Sequence, residues 1–196
     1  MDPLPTYTAV VLAGGRAARL GGQAKPQLTV GGRSMLATVL SAVADAAGRI
    51  VVGPVQPVPP DVVLVREQPP GGGPVAALRA GLAEVDTDVV AVLAGDLPFL
   101  TAGLIAELRG RLRTDGVLVV DESGRDQLLL GIWRTAPLRA AIGAVGRPTS
   151  MRRVLAPLSV DRCRPDVPAG MPPPWLDCDT PADLAHAREV ARDLPG

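Results

Sequence analysis

The chain is poor in aromatic side chains, histidine, cysteine and net charge. Tyr7, Phe99, Trp133 and Trp175 are its aromatic residues among 196. With 47% hydrophobic residues it can still bury a sizeable core, built from Val, Leu, Ala and Ile. Two cysteines, Cys163 and Cys178, make neither a disulfide framework nor a zinc set. His186, the single histidine, falls on the last expected helix and suggests no histidine-based acid–base chemistry. Lys plus Arg equals Asp plus Glu, so the formal charge is zero. That argues against a nucleic-acid partner held by bulk charge and against a polybasic membrane patch. No apolar run approaches the roughly 20 residues that span a bilayer. The start, Met1-Asp2-Pro3-Leu4-Pro5, lacks the basic end and apolar stretch of a secretion signal. A cytoplasmic location is the expectation.

Strand and helix signals alternate along the rest. Strands are expected at 9–12, 50–52, 62–65, 88–94, 117–120 and 127–133, with a brief one at 175–176. Helices are expected at 34–47, 75–85, 101–112, 136–145, 151–158 and 180–191. The stretch from Val160 to the prolines at 172–174 carries no clear signal. Alternation of this kind calls for a parallel sheet with helices on both faces. The Pro/Gly-rich pieces at 54–60, 69–74 and 165–174 read as surface loops within one α/β domain, residues 1–196 with a core of about 8–190.

Three motifs carry chemistry. The first runs from Val10 to Pro26: an apolar strand ends in Gly14-Gly15, and Arg19, Gly21-Gly22 and Lys25 follow. Bare backbone N–H groups at such a turn form an anion-binding concavity, and two long cations beside it would neutralise a polyphosphate. The spacing is neither G-x-G-x-x-G nor a Walker loop, since no Gly-Lys-Ser/Thr follows. An ordinary glycine turn with solvated basic residues is the alternative. The second is Gly95-Asp96-Leu97-Pro98 after a fully apolar strand. A carboxylate there, beside a triphosphate, suits Mg²⁺; otherwise Asp96 starts a turn. The third is Asp177-Cys178-Asp179-Thr180-Pro181. Alternation sends both carboxylates to one face and Cys178 to the other. One aspartate could complete a metal site, or Asp179 could supplement the helix cap. Glu67 could accept hydrogen bonds from a base edge or lie solvated. Arg125 and Gln127 could meet a second substrate.

Together, Leu12-Ala13-Gly14-Gly15 with Arg19, Gly21 and Lys25, Gly95-Asp96-Leu97-Pro98, and Asp179-Thr180-Pro181 resemble the molybdenum cofactor guanylyltransferases, within the wider nucleotidyltransferases. Gly73-Pro74-Val75-Ala76-Ala77-Leu78 is similar to a further segment of that family. The resemblance implies a three-layer α/β/α sandwich of Rossmann-like nucleotidyltransferase type, with a mostly parallel sheet and one antiparallel strand towards its C-terminal part. It implies that GTP and Mg²⁺ react with molybdopterin, giving the guanine dinucleotide cofactor and pyrophosphate. Leu12, Ala13, Gly14 and Gly15, with Glu67, would then bind the nucleotide. Arg19 and Lys25 would hold the triphosphate, and Asp96 would hold Mg²⁺ with Asp179 or Asp177. Cytidylyl relatives look like Leu-Ala-Ala-Gly at the first motif, so Gly14 favours guanine over CTP. The chain departs from the family at Gly53, where Asn is frequent, at Glu67, where Asp is, and at Asp177 and Asp179, where Asn-x-Asn is. A monomer is the expectation, with transient contact with molybdoenzymes or cofactor-biosynthesis proteins. A nucleotide-binding accessory protein without turnover is the alternative of another class.

Overall fold

The structure is a computed structural model that describes residues 4–14, 19–20, 23–146 and 149–194, with the backbone alone at 19–20 and 23–24. The chain opens with β1 (Thr8–Leu12), then two small hairpins, β2 (Arg19–Leu20) with β3 (Gln23–Ala24) and β4 (Thr29–Val30) with β5 (Arg33–Ser34). Then come α1 (Met35–Ala42), β6 (Gly48–Val52), β7 (Val62–Val65), α2 (Gly73–Ala83) and β8 (Val89–Ala94). The second half contains α3 (Ala102–Arg111), β9 (Gly116–Val120), β10 (Asp126–Arg134), α4 (Thr135–Ala144), α5 (Met151–Leu155), β11 (Val160–Cys163) and α6 (Pro181–Asp193).

Seven strands form one sheet in the order β11-β9-β10-β8-β1-β6-β7. Pairing is parallel from β8 through β1 and β6 to β7, and again between β9 and β11. β10 runs antiparallel to both of its neighbours. The mostly parallel sheet with a single reversed strand matches the expected fold. β1 and β8 are apolar on both faces because helices cover both. Ala9 and Val11 of β1 face the core under α1 and α3, while Val10 and Leu12 face the core under α2, α4 and α5. At Gly81, α2 comes very close to the sheet: a Cβ there would lie 2.5 Å from Val10 Cγ1.

Several elements differ from the sequence reading. Val160–Cys163 is a strand, held parallel to β9 in the register Val160↔Gly116 to Cys163↔Val119. Its Val-Asp-Arg-Cys pattern is too short and too polar to announce an edge strand. Trp175–Leu176 is a turn, not a strand: the Leu176 N–H donates to the Pro173 carbonyl at 3.0 Å. Three consecutive prolines remove the donors a sheet ladder needs. α1 stops at Ala42, short of Ala47. Beyond it the chain turns back onto β1, where the Ala47 N–H donates to the Tyr7 carbonyl and Tyr7 Oη donates to Asp45. α2 begins at Gly73, with Pro74 in its first turn where its missing N–H does no harm.

The topology decides where a ligand can bind. From β1 the chain steps outward to β6 and β7, then returns to the other side of β1 as β8. Open α/β sheets bind ligands beyond the carboxyl ends of the strands at such a switch point. Here those ends are Leu12-Ala13-Gly14 and Ala94-Gly95-Asp96.

Candidate functional site

A cleft opens at that point. Leu12, Ala13 and Gly14 form one side, Gly95 and Asp96 the other, and Lys25 and Asp179 close it. Its floor is rigid. The Gly95 N–H donates to the Leu12 carbonyl at 2.9 Å, and the Ala13 N–H donates to the Val52 carbonyl at 2.8 Å. Gly53 lets β6 end against the same loop, since a Cβ there would sit 2.7 Å from the Ala13 carbonyl oxygen.

Lys25 lies in a short 3-10 turn, Lys25–Gln27, and is buried. Its ammonium stands 2.5 Å from Asp96 Oδ2 and 2.6 Å from Asp179 Oδ1. Burial alone would lower the Lys25 pKa, but the hydrogen-bonded Asp179 and Asp96 carboxylates outweigh it and hold the group above the usual lysine range. Asp96 is the sheltered member of the pair, with its side chain 17% exposed against 69% for Asp179. Asp177 lies on the same side. Lost hydration, then the neighbouring Asp179 and Asp96 charges, raise its carboxyl above the usual range. Cys178 turns inward and is fully buried against Leu28, Val30, Met35, Leu184 and Ala187. Burial first, then the Asp96 charge, pushes its thiol up to about 12. Alternation across 177–179 is as expected in that Cys178 is buried and both aspartates are exposed, but Asp179 lines this cleft while Asp177 lines a second cavity.

Two carboxylates on one ammonium leave an excess of negative charge, and their hard oxygens are the donor type that Mg²⁺ takes together with phosphate oxygens. The residues fit a divalent cation in that sense. They are not a preformed cage: among the described residues no group of three or more His, Cys, Asp or Glu side chains is gathered for a metal.

The remaining site residues fall as follows. Glu67 is buried away from the cleft, where its carboxylate accepts the Gly71 N–H at 2.9 Å and ties the loop that leads into α2. Gly15 lies outside the described residues, and of Arg19 only the backbone, paired with Ala24, is described. Arg125 and Gln127 line a second cavity of about 410 Å³, together with Trp175, Asp177 and the exposed His186. There Trp175 Nε1 donates to Glu122 at 2.9 Å and Gln127 Nε2 donates to Asp121 at 2.9 Å.

Pro26, Pro74, Ala77 and Leu129 also line the first cleft; the first three fell within quoted motifs without a role, and Leu129 escaped the sequence reading. Pro74 and Ala77 lie in the first turns of α2, whose start looked like a flexible connector. Leu129 lies in the irregular part of β10, where pairing jumps from Gln127↔Val119 to Gly131↔Leu118. Such bulges re-aim side chains; the Gly131 beside it, two residues past Leu129, was the available signal.

The comparisons with known proteins agree. The family profile described as MobA-like NTP transferase domain matches residues 9–163. A Rhodopseudomonas palustris protein named molybdenum cofactor guanylyltransferase is 30% identical over 99% of this chain and 96% of its own length. Among solved structures, molybdopterin-guanine dinucleotide biosynthesis protein A from Archaeoglobus fulgidus superposes with a TM-score of 0.71 at 17% identity, covering 95% of this chain and all (100%) of that one. The 2-C-methyl-D-erythritol 4-phosphate cytidylyltransferase of Thermus thermophilus gives 0.67 at 22% identity, covering 94% and 98%. No helix among the described residues is long and apolar enough to cross a membrane.

Proposed function

Because the chain belongs to the family of MobA-like NTP transferase domains, we propose that it transfers GMP from GTP to molybdopterin and releases pyrophosphate. The observation that carries this reading is the meeting of Lys25, Asp96 and Asp179 at the mouth of the β1 loop, at the sheet's switch point. The base and ribose lie along Leu12, Ala13 and Gly14, and Lys25 with Arg19 takes the phosphates. Guanine is favoured over cytosine by the Leu-Ala-Gly-Gly sequence, on resemblance.

Asp96, with Asp179, would hold a divalent cation, read as Mg²⁺; when bound it screens the phosphate charge. The acceptor enters from the second cavity, whose wall includes Asp177, two residues from Asp179. A terminal phosphate oxygen of the acceptor attacks the α-phosphorus of GTP in line. One P–O bond forms to the acceptor, and the bond to the β-phosphate oxygen breaks as pyrophosphate leaves. The nucleophile is already anionic, so the step needs no general base, in keeping with a cleft that holds no histidine. What the chain supplies is position and charge: a rigid loop at Ala13, and an ammonium for the developing phosphate charge.

The test is pyrophosphate release with GTP, CTP, ATP and UTP in turn, with and without molybdopterin. Release with GTP and molybdopterin is expected, and Asp96→Ala abolishes it. Near-normal turnover of that variant, or equal release with CTP, overturns the corresponding part of the reading.

A further inference from the structure

Lys25 is the only lysine in the chain, beside nineteen arginines. It is also held in an unusual way. A nucleotide-binding cation waiting for phosphate should stand free in the cleft, yet the Lys25 ammonium there is already held by two carboxylates at 2.5 and 2.6 Å. Those carboxylates are the same two that the proposed function assigns to the metal, and this inference rests on that assignment. Lys25 also differs from the arginines in kind. An ammonium is a compact point charge on a flexible stem, close to a small cation in its demands on oxygen, whereas a guanidinium is a planar fork.

We propose that Lys25 occupies the cation position of the nucleotide-free protein, and that the metal is admitted between Asp96 and Asp179 only when nucleotide phosphates draw the ammonium away. The two cations cannot share the place. Mg²⁺ needs its oxygens at about 2.0–2.1 Å, and the ammonium already sits within hydrogen-bonding distance of both carboxylates. A metal arriving alone would have to displace Lys25 from both carboxylates and leave it beside a new positive charge. A nucleotide changes that balance, because its phosphates give the ammonium new anionic partners and free both aspartates. Metal and nucleotide therefore raise each other's affinity through this one side chain, beyond their pairing in solution. The exposed Asp179 can follow the exchange, while Asp96, sheltered after β8, stays in place.

Two measurements test this on the full chain. The first is Mn²⁺ binding without nucleotide, read by electron paramagnetic resonance. The unaltered protein binds weakly; Lys25→Met gains one site at least about tenfold tighter, and adding Asp96→Asn to that variant removes it. Equal Mn²⁺ affinity of the parent and Lys25→Met overturns the proposal. The second uses lysine labelled with ¹³C at Cε, which gives one signal because Lys25 is the only lysine. That signal stays in place with Mg²⁺ alone and shifts with Mg²⁺ plus GTP or CTP. A shift with Mg²⁺ alone, or none with nucleotide, also overturns it. If Lys25→Met does not fold, the labelled parent decides alone. Neither readout involves molybdopterin, so failure of transfer to that acceptor leaves this exchange standing, and failure of the exchange leaves the transfer standing.

Discussion

Replacing Gly53 by alanine adds one methyl group where the ends of β1 and β6 meet. The new Cβ would lie 2.7 Å from the Ala13 carbonyl oxygen, 2.9 Å from its carbon and 3.1 Å from Gln56 Nε2. The first two are backbone atoms, and they have little freedom. The Ala13 N–H is tied to Val52 at 2.8 Å, and the Leu12 carbonyl accepts Gly95 at 2.9 Å. Relief must come from moving the strand end that lines the nucleotide cleft. Overpacking of this kind costs about 1–3 kcal/mol. For a chain of this size each kcal/mol shifts Tm by roughly 2–4 °C, so a fall of about 2–12 °C is expected. A displacement of a few tenths of an ångström at Ala13 and Gly14 should also lower kcat/KM for nucleotide by about tenfold. Gly143→Ala is the matched control: Gly143 is exposed in α4, and its Cβ would meet nothing within 4 Å. There alanine should stabilise by about 0.5–1 kcal/mol through helix propensity. Differential scanning calorimetry and the pyrophosphate assay on both variants settle it. Gly53→Ala with Tm within about 1 °C of the parent and unchanged kcat/KM refutes the argument from close approach.

Other outcomes follow from the same geometry. Tyr7 is the chain's only tyrosine, fully buried, and donates to Asp45; burial first, then Asp45, raises its pKa. A raised pKa stabilises below the free value and loses that contribution as pH rises past about 10; phenolate absorbance should therefore appear only well above that pH, and a midpoint near 10 in the folded protein contradicts it. Burial pushes the Cys163 thiol up to about 11 and the Cys178 thiol up to about 12, so neither should react with Ellman's reagent at about pH 8 until the protein is denatured; one rapidly reacting native thiol refutes this. Lys25→Met leaves the sheltered Asp96 facing Asp179 without a cation and should lower Tm, whereas Lys25→Met with Asp96→Leu should recover the loss without recovering turnover. A double variant that melts below the single one would show instead that Asp96 is needed for the fold.

The fold was readable in the sequence wherever an element is buried on both faces. Val89–Ala94 and, within Thr8–Leu12, residues 9–12 are apolar throughout, and their hydrophobic runs announce strands whatever their neighbours do. The edge strand Val160–Cys163 escaped because half of its surface is wet and its pairing with β9 is a tertiary fact. The site was readable to the extent that it depends on strand ends. Asp96 stands where a central strand must stop, and Cys178 marks which way Asp177 and Asp179 face. Leu129 was legible only through the neighbouring Gly131, because a register jump in β10 rather than strict alternation aims it. The partnership of Lys25 with Asp179 could not be read either, because 154 residues separate them.

That partnership depends on packing outside the main sheet. Lys25 and Asp179 flank a small separate core: Leu28, Val30 and Met35 on one side, Cys178, Leu184 and Ala187 on the other. Hydrogen bonds hold each flank to it. The Leu28 N–H donates to the Lys25 carbonyl at 3.1 Å, the Met35 N–H to the Leu28 carbonyl at 3.0 Å, and Arg188 Nε reaches the Thr29 carbonyl at 2.9 Å from α6. The capping box of Thr180 and Asp183 then starts α6 directly after Asp179. One half of the site, Ala13 and Asp96, is anchored in the seven-stranded sheet; the half that the proposed exchange would move, Lys25 and Asp179, rides on a cluster of six buried residues. Regions with few buried apolar contacts open at lower free energy than the global core. On the proposed exchange, Lys25 would therefore leave its carboxylates without straining β1 or β8, and the Leu12-Ala13-Gly14 loop would stay fixed while the charges beside it rearrange.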